Sequence, residues 1–310
     1  MPMNTTPTYR GPEKLTGLMP VLPTPLLEDE SVDEAGIERL AGFLLGFPFC
    51  GIWALATAGE DENLPVETRK QVARLLVAQF GGKVPLLVKT SEPGTRETIE
   101  RTREFADLGI DLAIVHPQQK GLSQDHYLRA LETIADRSPL PLYLYHNGGR
   151  GAALSLSTMI RLSRHPNIAG MKAGGSNLAE LQRLALFCDS DFSVFTAGAG
   201  QMLACLAMGV AGHMAAPFSG FPELAFHLYR SFRKGDWTGA RRWQLRLIES
   251  MGALPDLKNR EVHGEIKALL ETRGIIRRHV TAPFIEASDT EIQKIREHFD
   301  THRRSGWPAV

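Results

Sequence analysis

The sequence lacks both a net charge and long hydrophobic segments, and each absence argues against a class of partner. Its 35 Lys and Arg residues balance 35 Asp and Glu residues. Nucleic acids and anionic membranes attract proteins that have a basic surface, so neither is expected as the main partner. No apolar run approaches the roughly 18 residues that a membrane span requires. We therefore expect a protein that binds neither nucleic acid nor membrane.

Cysteine is also scarce, and no targeting signal is visible. Cys50, Cys188 and Cys205 are widely spaced, and each lies in an apolar stretch. Such a pattern is typical of reduced, buried thiols. Residues 1–14 are polar and proline-rich, without the apolar segment of a secretory signal. We predict that they form a flexible tail and that the protein is cytoplasmic.

The chain does contain a regular alternation of short apolar runs and longer amphipathic segments. The runs are rich in Val, Ile, Leu or aromatic residues, as strands should be. They are Leu18–Leu22, Gly51–Leu55, Pro85–Lys89, Leu112–His116, Pro141–Tyr145, Ile168–Lys172, Phe192–Thr196 and Val210–Met214. Their spacing fits one strand, one helix and two loops each time. Eight such pairs predict an α/β fold, a (β/α)₈ TIM barrel with additional C-terminal helices.

The domain organisation follows from this alternation. We assign residues 15–234 to the barrel and residues 235–310 to a helical extension packed on it. The extension has three helical stretches, Trp237–Met251, Val262–Arg273 and Asp289–His302. No linker is long enough to isolate these stretches as a separate domain.

Lys172 ends the sixth predicted strand. In (β/α)₈ barrels the chemistry lies where strands end and the following loops begin. Burial there lowers the pKa of an amine, and a neutral amine attacks a ketone to form an imine. On position alone, a lysine that reaches solvent or pairs with a carboxylate is an equal alternative.

Tyr145 and Thr57 are the other candidate catalytic residues. Tyr145 ends the strand beside that of Lys172, where a phenol can transfer protons; the alternative is an aromatic side chain that only lines the barrel. Thr57 follows the second strand, across the mouth, where its hydroxyl would orient Tyr145. With Ala58 and Gly59 it forms a tight turn whose backbone N–H groups suit a carboxylate.

No cofactor or metal is assigned. His116, His146 and His213 lie near strand ends, but no two have the local spacing of metal ligands. Contact of His116 or His146 with the substrate stays open as an alternative. A Gly-x-Gly sequence after the seventh strand lacks the third glycine of a dinucleotide site.

Taken together, these residues resemble the dihydrodipicolinate synthase / N-acetylneuraminate lyase family. The resemblance covers most of the chain, roughly from Gly17 to Pro283. Its elements occur in family order, and the tyrosine strand followed by a Gly-x-Lys strand is the most specific of them. They are Thr24-Pro25, Asp33, Ala56-Thr57-Ala58-Gly59-Glu60, Leu144-Tyr145, Arg150, Gly170-Met171-Lys172 and Ile266-Lys267-Ala268-Leu269.

The resemblance implies a role for each matching residue. Lys172 matches the imine-forming lysine, Tyr145 the proton-transferring tyrosine and Thr57 the hydroxyl residue bonded to that tyrosine. The backbone at Ala58 and Gly59 matches the pocket for the pyruvyl carboxylate. The family also implies a homodimer or a homotetramer.

A second acidic group of the substrate is bound by an arginine in some members of the family. Arg150 falls near the position of that arginine. The glycines Gly148 and Gly149 replace the usual proline-containing loop just before it. The assignment of Arg150 to substrate binding therefore rests on the resemblance alone.

Several residues depart from the family pattern. Ala58 replaces a second threonine, and Gln118 and Gln119 replace a tyrosine pair that relays protons between subunits. An amide forms hydrogen bonds but does not relay protons as a phenol does. Lys89 stands where the family has small residues. It is expected to bind a substrate carboxylate or to lower the pKa of Lys172, with a salt-bridged rim lysine as the alternative.

The predicted function is that of a class I lyase or aldolase that acts on pyruvate or another 2-oxo acid. The reaction is an aldol cleavage, an aldol addition or the dehydration of a 2-oxo sugar acid. The substrate-binding residues are Ala58, Gly59, Arg150, Lys89, Gln119 and Ala211. Two alternatives remain. One is a dihydrodipicolinate synthase that condenses pyruvate with aspartate semialdehyde, and the other is a barrel that binds 2-oxo acids without catalysis.

Overall fold

Eight parallel strands form the centre of the fold. The computed structural model describes residues 14–147, 152–252 and 262–304. The strands are β1 (Gly17–Pro20), β2 (Ile52–Ala54), β3 (Leu86–Lys89), β4 (Leu112–Val115), β5 (Leu142–His146), β6 (Ile168–Ala173), β7 (Ser193–Thr196) and β8 (Gly212–Ala215). Their order in the sheet is β1-β8-β7-β6-β5-β4-β3-β2.

The sheet closes between its first and last strands. Val21, just after β1, bridges Trp53 of β2 in the parallel sense. The backbone N–H of Leu22 donates to the carbonyl of Trp53 at 2.8 Å. The predicted (β/α)₈ barrel is therefore confirmed.

Helices surround the barrel and continue beyond it. The first nine are α1 (Glu34–Leu44), α2 (Val66–Phe80), α3 (Thr95–Asp107), α4 (Gln124–Arg137), α5 (Leu156–Leu162), α6 (Leu178–Phe187), α7 (Met202–Ala207), α8 (Pro217–Gly220) and α9 (Pro222–Arg233). Side-chain caps start some of them. Asp33 accepts a hydrogen bond from Gly36 N at the start of α1, and Asn177 forms a capping box with Glu180 at the start of α6. No helix in the described ranges is long and apolar enough to cross a membrane.

Three further helices follow the barrel, namely α10 (Trp237–Gly252), α11 (Val262–Thr272) and α12 (Asp289–Arg304). Ile266 and Leu269 of α11 and Ile295 of α12 belong to the same apolar core as the barrel residues. The predicted C-terminal helices are thus present. The division at residue 234 stays a prediction, and the predicted tail lies almost entirely outside the described residues.

Side chains alternate along each strand between the barrel interior and the surrounding helices. Tyr143 and Tyr145 of β5 share one face, and Tyr145 is in register with Lys172 of β6. Gly170 leaves space for a neighbour, because a Cβ there would lie 2.6 Å from the ring of Tyr143. Alternation places Lys172 and Tyr145 on the same face, and the strand register places them at the same end of the barrel interior.

The eighth strand begins two residues later than the sequence predicts. Ala211 precedes β8, and its carbonyl accepts a hydrogen bond from Gly17 N at 3.0 Å. It therefore lies at the N-terminal end of the strands, opposite to the end where substrates bind in such barrels. The sequence predicted a strand from Val210 because the residues at the N-terminal end of the barrel are also apolar. The assignment of Ala211 to substrate binding is corrected accordingly.

Candidate active site

A cavity of about 420 Å³ lies at the carboxyl ends of the strands. Four of the predicted site residues line it together: Lys172, Tyr145, Thr57 and Ala58. They come from β5, β6 and the turn after β2, so the barrel unites residues that are more than a hundred positions apart. The volume is within the usual range of small-molecule sites.

Lys172 is buried in this cavity, with 8% of its surface exposed. Its Nζ lies 4.4 Å from the ring centroid of Trp53 and 5.2 Å from that of Tyr145. Within the described part of the chain it forms no salt bridge. Burial disfavours the charged ammonium and lowers the pKa of Lys172 to about 7. A large fraction of this amine is therefore neutral and nucleophilic at physiological pH.

Tyr145 is held by aromatic and amide neighbours. Asn147 donates a hydrogen bond from Nδ2 to the Tyr145 hydroxyl oxygen at 2.9 Å. The Trp53 ring meets that of Tyr145 edge to face at 5.1 Å, and the His116 ring lies 5.6 Å away. The hydrogen bond between Thr57 and Tyr145 stays a prediction. Asn147 was not among the predicted site residues, and its place two residues after Tyr145 was the only signal for it.

The turn after β2 is a short 3₁₀ segment, Thr57–Gly59. Gly59 N donates to Ala56 O at 2.8 Å, whereas the N–H groups of Thr57 and Ala58 have no acceptor among the described residues. Unpaired N–H groups at the start of a helical turn attract a carboxylate. Gly59 supports this turn without lining the cavity, since its carbonyl accepts a hydrogen bond from Thr24 Oγ1 at 2.7 Å.

The same turn is held in an unusual backbone conformation. Leu55, two residues before the turn, and Glu60, directly after it, have positive φ angles of 50° and 57°, which are uncommon for residues other than glycine. Glu60 is buried and forms an ion pair with Lys267 of α11 at 2.5 Å. Its other oxygen accepts hydrogen bonds from Thr281 N and Oγ1. A C-terminal helix therefore fixes the turn beside Lys172.

Lys89 is buried but does not line the cavity. Its Nζ lies 2.6 Å from Asp61 and 2.9 Å from Glu62. Burial by itself lowers the pKa of Lys89, but the two carboxylates outweigh it and hold the pKa above its ordinary value. Burial alone accounts for the lowered pKa of Lys172. The structure thus favours the salt-bridge alternative for Lys89 over both predicted roles.

Gln119 does not line the cavity. Gln119 is exposed, and its Nε2 donates to Pro93 O at 3.2 Å. It lines a separate hollow of about 140 Å³ with Gln118 and His116. Arg150 lies outside the described residues, and its role stays a prediction.

The histidines near the strand ends are dispersed. Leu154 N donates to Nδ1 of His146 at 3.3 Å. Nδ1 of His213 lies 2.6 Å from Thr196 Oγ1, and burial, with a further contribution from Lys172, lowers the pKa of His213 to about 3. Over the ranges that the structure describes, no three His, Cys, Asp or Glu residues are grouped to hold a metal ion.

A buried lysine beside a tyrosine at the strand ends of a barrel fits a carbon–carbon or carbon–oxygen lyase. The family itself follows from comparison with known proteins. The model of the dihydrodipicolinate synthetase family matches residues 14–301. The chain belongs to this family, as the sequence resemblance predicts.

Individual relatives agree with this assignment. The chain is similar to the 4-hydroxy-tetrahydrodipicolinate synthase of Laribacter hongkongensis, with 30% identity over 91% of this chain and 96% of that protein. It is also similar to the structure of dihydrodipicolinate synthase from Bacteroides thetaiotaomicron, with a TM-score of 0.88, 25% identity and coverage of 94% and 99%. The Ruminococcus gnavus sialic acid aldolase has the same fold, with a TM-score of 0.86, 19% identity and coverage of 94% and 99%.

Proposed function

We propose that the protein is a class I aldolase or lyase in which Lys172 forms a Schiff base with pyruvate or a related 2-oxo acid. The observation that carries this proposal is the buried Lys172, which forms no salt bridge within the described ranges and has a pKa of about 7. A lysine that serves only to stabilise the fold is expected to pair with a carboxylate, as Lys89 and Lys267 do. Membership of the family supports the same chemistry.

Each neighbouring group has a place in this reaction. The N–H groups of Thr57 and Ala58 bind the carboxylate of the 2-oxo acid. The neutral amine of Lys172 attacks the ketone carbon, and the resulting carbinolamine loses water to form the imine. Tyr145 transfers the protons of these steps, with Thr57 orienting its hydroxyl and Asn147 holding its oxygen. Loss of a proton from the adjacent carbon then gives an enamine, the nucleophile for aldol addition.

The same intermediate serves three reactions. Aldol addition joins C3 of the enamine to an aldehyde, and aldol cleavage reverses this step. Dehydration expels a hydroxyl group from C4, the carbon next to C3. The names of the relatives favour condensation of pyruvate with aspartate semialdehyde as the second candidate. Gln118 and Gln119 argue against it because neither amide relays protons. A silent barrel that only binds 2-oxo acids is the third candidate.

Borohydride trapping tests the proposal. The protein is incubated with pyruvate and reduced, and the mass increase is mapped by peptide mass spectrometry. We expect one reduced pyruvyl adduct, on Lys172, and none in Lys172→Ala. Lys83→Ala is the control, because it alters an exposed lysine that lies outside the cavity. An adduct on Lys89, or none with pyruvate and several longer 2-oxo acids, would contradict the mechanism.

We further propose that the enzyme is a cytoplasmic homodimer or homotetramer. The family resemblance supports the oligomer, and three free cysteines support a reducing compartment. Light scattering of the purified chain measures the oligomeric state directly. A monomeric mass over the working concentration range would overturn it.

A further inference from the structure

The cavity around Lys172 has one polar side and one apolar side. Its polar side chains, Thr57, Tyr145, Asn147 and Lys172, come from the turn after β2 and from the ends of β5 and β6. The loops after β7 and β8, together with α10, form the opposite wall. Among the described residues this wall has only apolar side chains and glycines, including Ala197, Ala199, Met214, Ala216, Pro217 and Met251.

Polar side chains near this wall are turned away from the cavity. Thr196, at the end of β7, bonds through Oγ1 to Nδ1 of His213. Gln201 is exposed, and its Nε2 donates to the backbone carbonyl of Ala197 at 3.3 Å. Neither residue lines the cavity. The apolar wall thus offers no described side-chain partner to a hydroxyl or carboxylate group.

The reacting centre is confined to the polar side. An imine on Lys172 places the 2-oxo acid next to Tyr145, with its carboxylate at Thr57 and Ala58. The part of the cavity that remains for the substituent of the aldehyde is then bounded by the apolar wall. A hydroxyl group buried there without a partner costs on the order of 1–3 kcal/mol, whereas an alkyl or aromatic group gains from the same burial.

We propose that the aldehyde half of the substrate is apolar, an alkyl or aryl aldehyde rather than a polyhydroxylated sugar or a charged semialdehyde. This inference rests on the proposed Schiff-base function. In the addition, C3 of the enamine forms a bond to the aldehyde carbon, and the aldehyde oxygen takes a proton from Tyr145. Water then hydrolyses the imine. Pyruvate and the aldehyde combine to a 4-hydroxy-2-oxo acid with no other reactant, and cleavage is the reverse.

The test compares aldehydes that have the same number of non-hydrogen atoms. The full-length protein is given pyruvate with benzaldehyde or with erythrose, and aspartate semialdehyde, a zwitterion, serves as the charged aldehyde. The 4-hydroxy-2-oxo acid product is quantified by mass spectrometry, together with the cyclic imine that it forms by loss of water when the aldehyde is aspartate semialdehyde. We expect kcat/KM to be about a hundredfold higher for benzaldehyde than for erythrose or aspartate semialdehyde. Equal or higher kcat/KM for either polar aldehyde overturns the inference.

A pair of methionine variants probes the wall itself. Met251→Gln places an amide on the apolar side with little change in size, and we expect it to lower the benzaldehyde-to-erythrose ratio of kcat/KM about tenfold. Met208→Gln is the matched control, since Met208 is also half-buried but does not line the cavity. This control should leave the ratio unchanged. The inference fails if both variants change the ratio equally or if neither changes it.

Borohydride trapping with pyruvate alone tests the Schiff-base function separately from the apolar aldehyde. An adduct on Lys172 together with a preference for a polar aldehyde retains the Schiff-base function and overturns the apolar substrate. The absence of any adduct with 2-oxo acids overturns both. An adduct together with a preference for benzaldehyde supports both.

Discussion

At the scale of single residues, the burial of Lys172 has two opposite consequences. It supplies a neutral amine near pH 7, and it removes an ammonium group from water, which destabilises the fold. The pKa falls from about 10.5 in the unfolded chain to about 7. Because the folded pKa is the lower one, the penalty is complete below about pH 7 and fades as the pH rises toward the unfolded value.

We predict that Lys172→Met stabilises the protein while it abolishes the pyruvate adduct. The free energy of unfolding should rise by on the order of 4 kcal/mol at about pH 6.5, and the gain should fall to about half at about pH 9. Denaturant unfolding at both pH values measures it. The exposed Lys83→Met serves as the control, with little change expected. A gain that is independent of pH would show that charge burial is not its cause.

The places of some residues in and around the site were predictable from the sequence, and those of others were not. Lys172 and Tyr145 were predictable because strand ends in a barrel converge, whatever the details of the loops. The partners of Lys89 depend on the conformation of the turn that contains Asp61 and Glu62, which no periodicity encodes. Asn147 was missed for a similar reason, because its hydrogen bond to Tyr145 depends on how the chain leaves β5.

At the scale of elements, the turn after β2 is held by ion pairs on two sides. Asp61 pairs with Lys89 at the end of β3, and Glu60 pairs with Lys267 of α11. The side chains of Glu60 and Lys267 are both fully buried. The Glu60–Lys267 pair therefore connects a C-terminal helix to the turn whose residues Thr57 and Ala58 line the cavity.

We predict that the Glu60–Lys267 pair behaves as a coupled unit. Lys267→Met alone leaves a buried carboxylate without its cation and should lower the free energy of unfolding by about 3–5 kcal/mol. Glu60→Gln combined with Lys267→Met should lower it less, because the amide oxygen still accepts hydrogen bonds from Thr281. A double-mutant cycle by denaturant unfolding measures the coupling. Strictly additive effects would contradict the prediction.

Among the strands, β8 has a start that the sequence did not predict correctly. Strand number, order and approximate spacing were predictable from the alternation of apolar runs. The start of β8 was not, because Val210 and Ala211 are as apolar as the strand itself. The strand begins two residues later and ends one residue later than predicted, so Ala211 lies before it and Ala215 is its last residue. Ala215 and Ala216 therefore line the cavity, and Ala211 does not.

At the scale of the whole molecule, the C-terminal helices contribute residues to the core of the barrel and to the wall of the cavity. Ile266 and Leu269 of α11 and Ile295 of α12 share the core of the barrel. Lys267 fixes the turn beside the cavity, and Met251 of α10 forms part of the cavity wall. Loss of these helices would expose barrel surface and release the active-site turn together.

We therefore predict that residues 15–304 unfold in one cooperative transition, although chains of this length often unfold in steps. The calorimetric and van't Hoff enthalpies should agree, and far- and near-ultraviolet circular dichroism should change together. Pyruvate should shift the whole transition upward, since it binds only the folded state, by about 2.7 kcal/mol at a hundred times its Kd. An earlier transition that exposes α10–α12 to protease while the barrel stays folded would contradict this. In that case Lys267→Met should destabilise only the earlier transition, whereas a cooperative molecule predicts that it lowers the single transition as a whole.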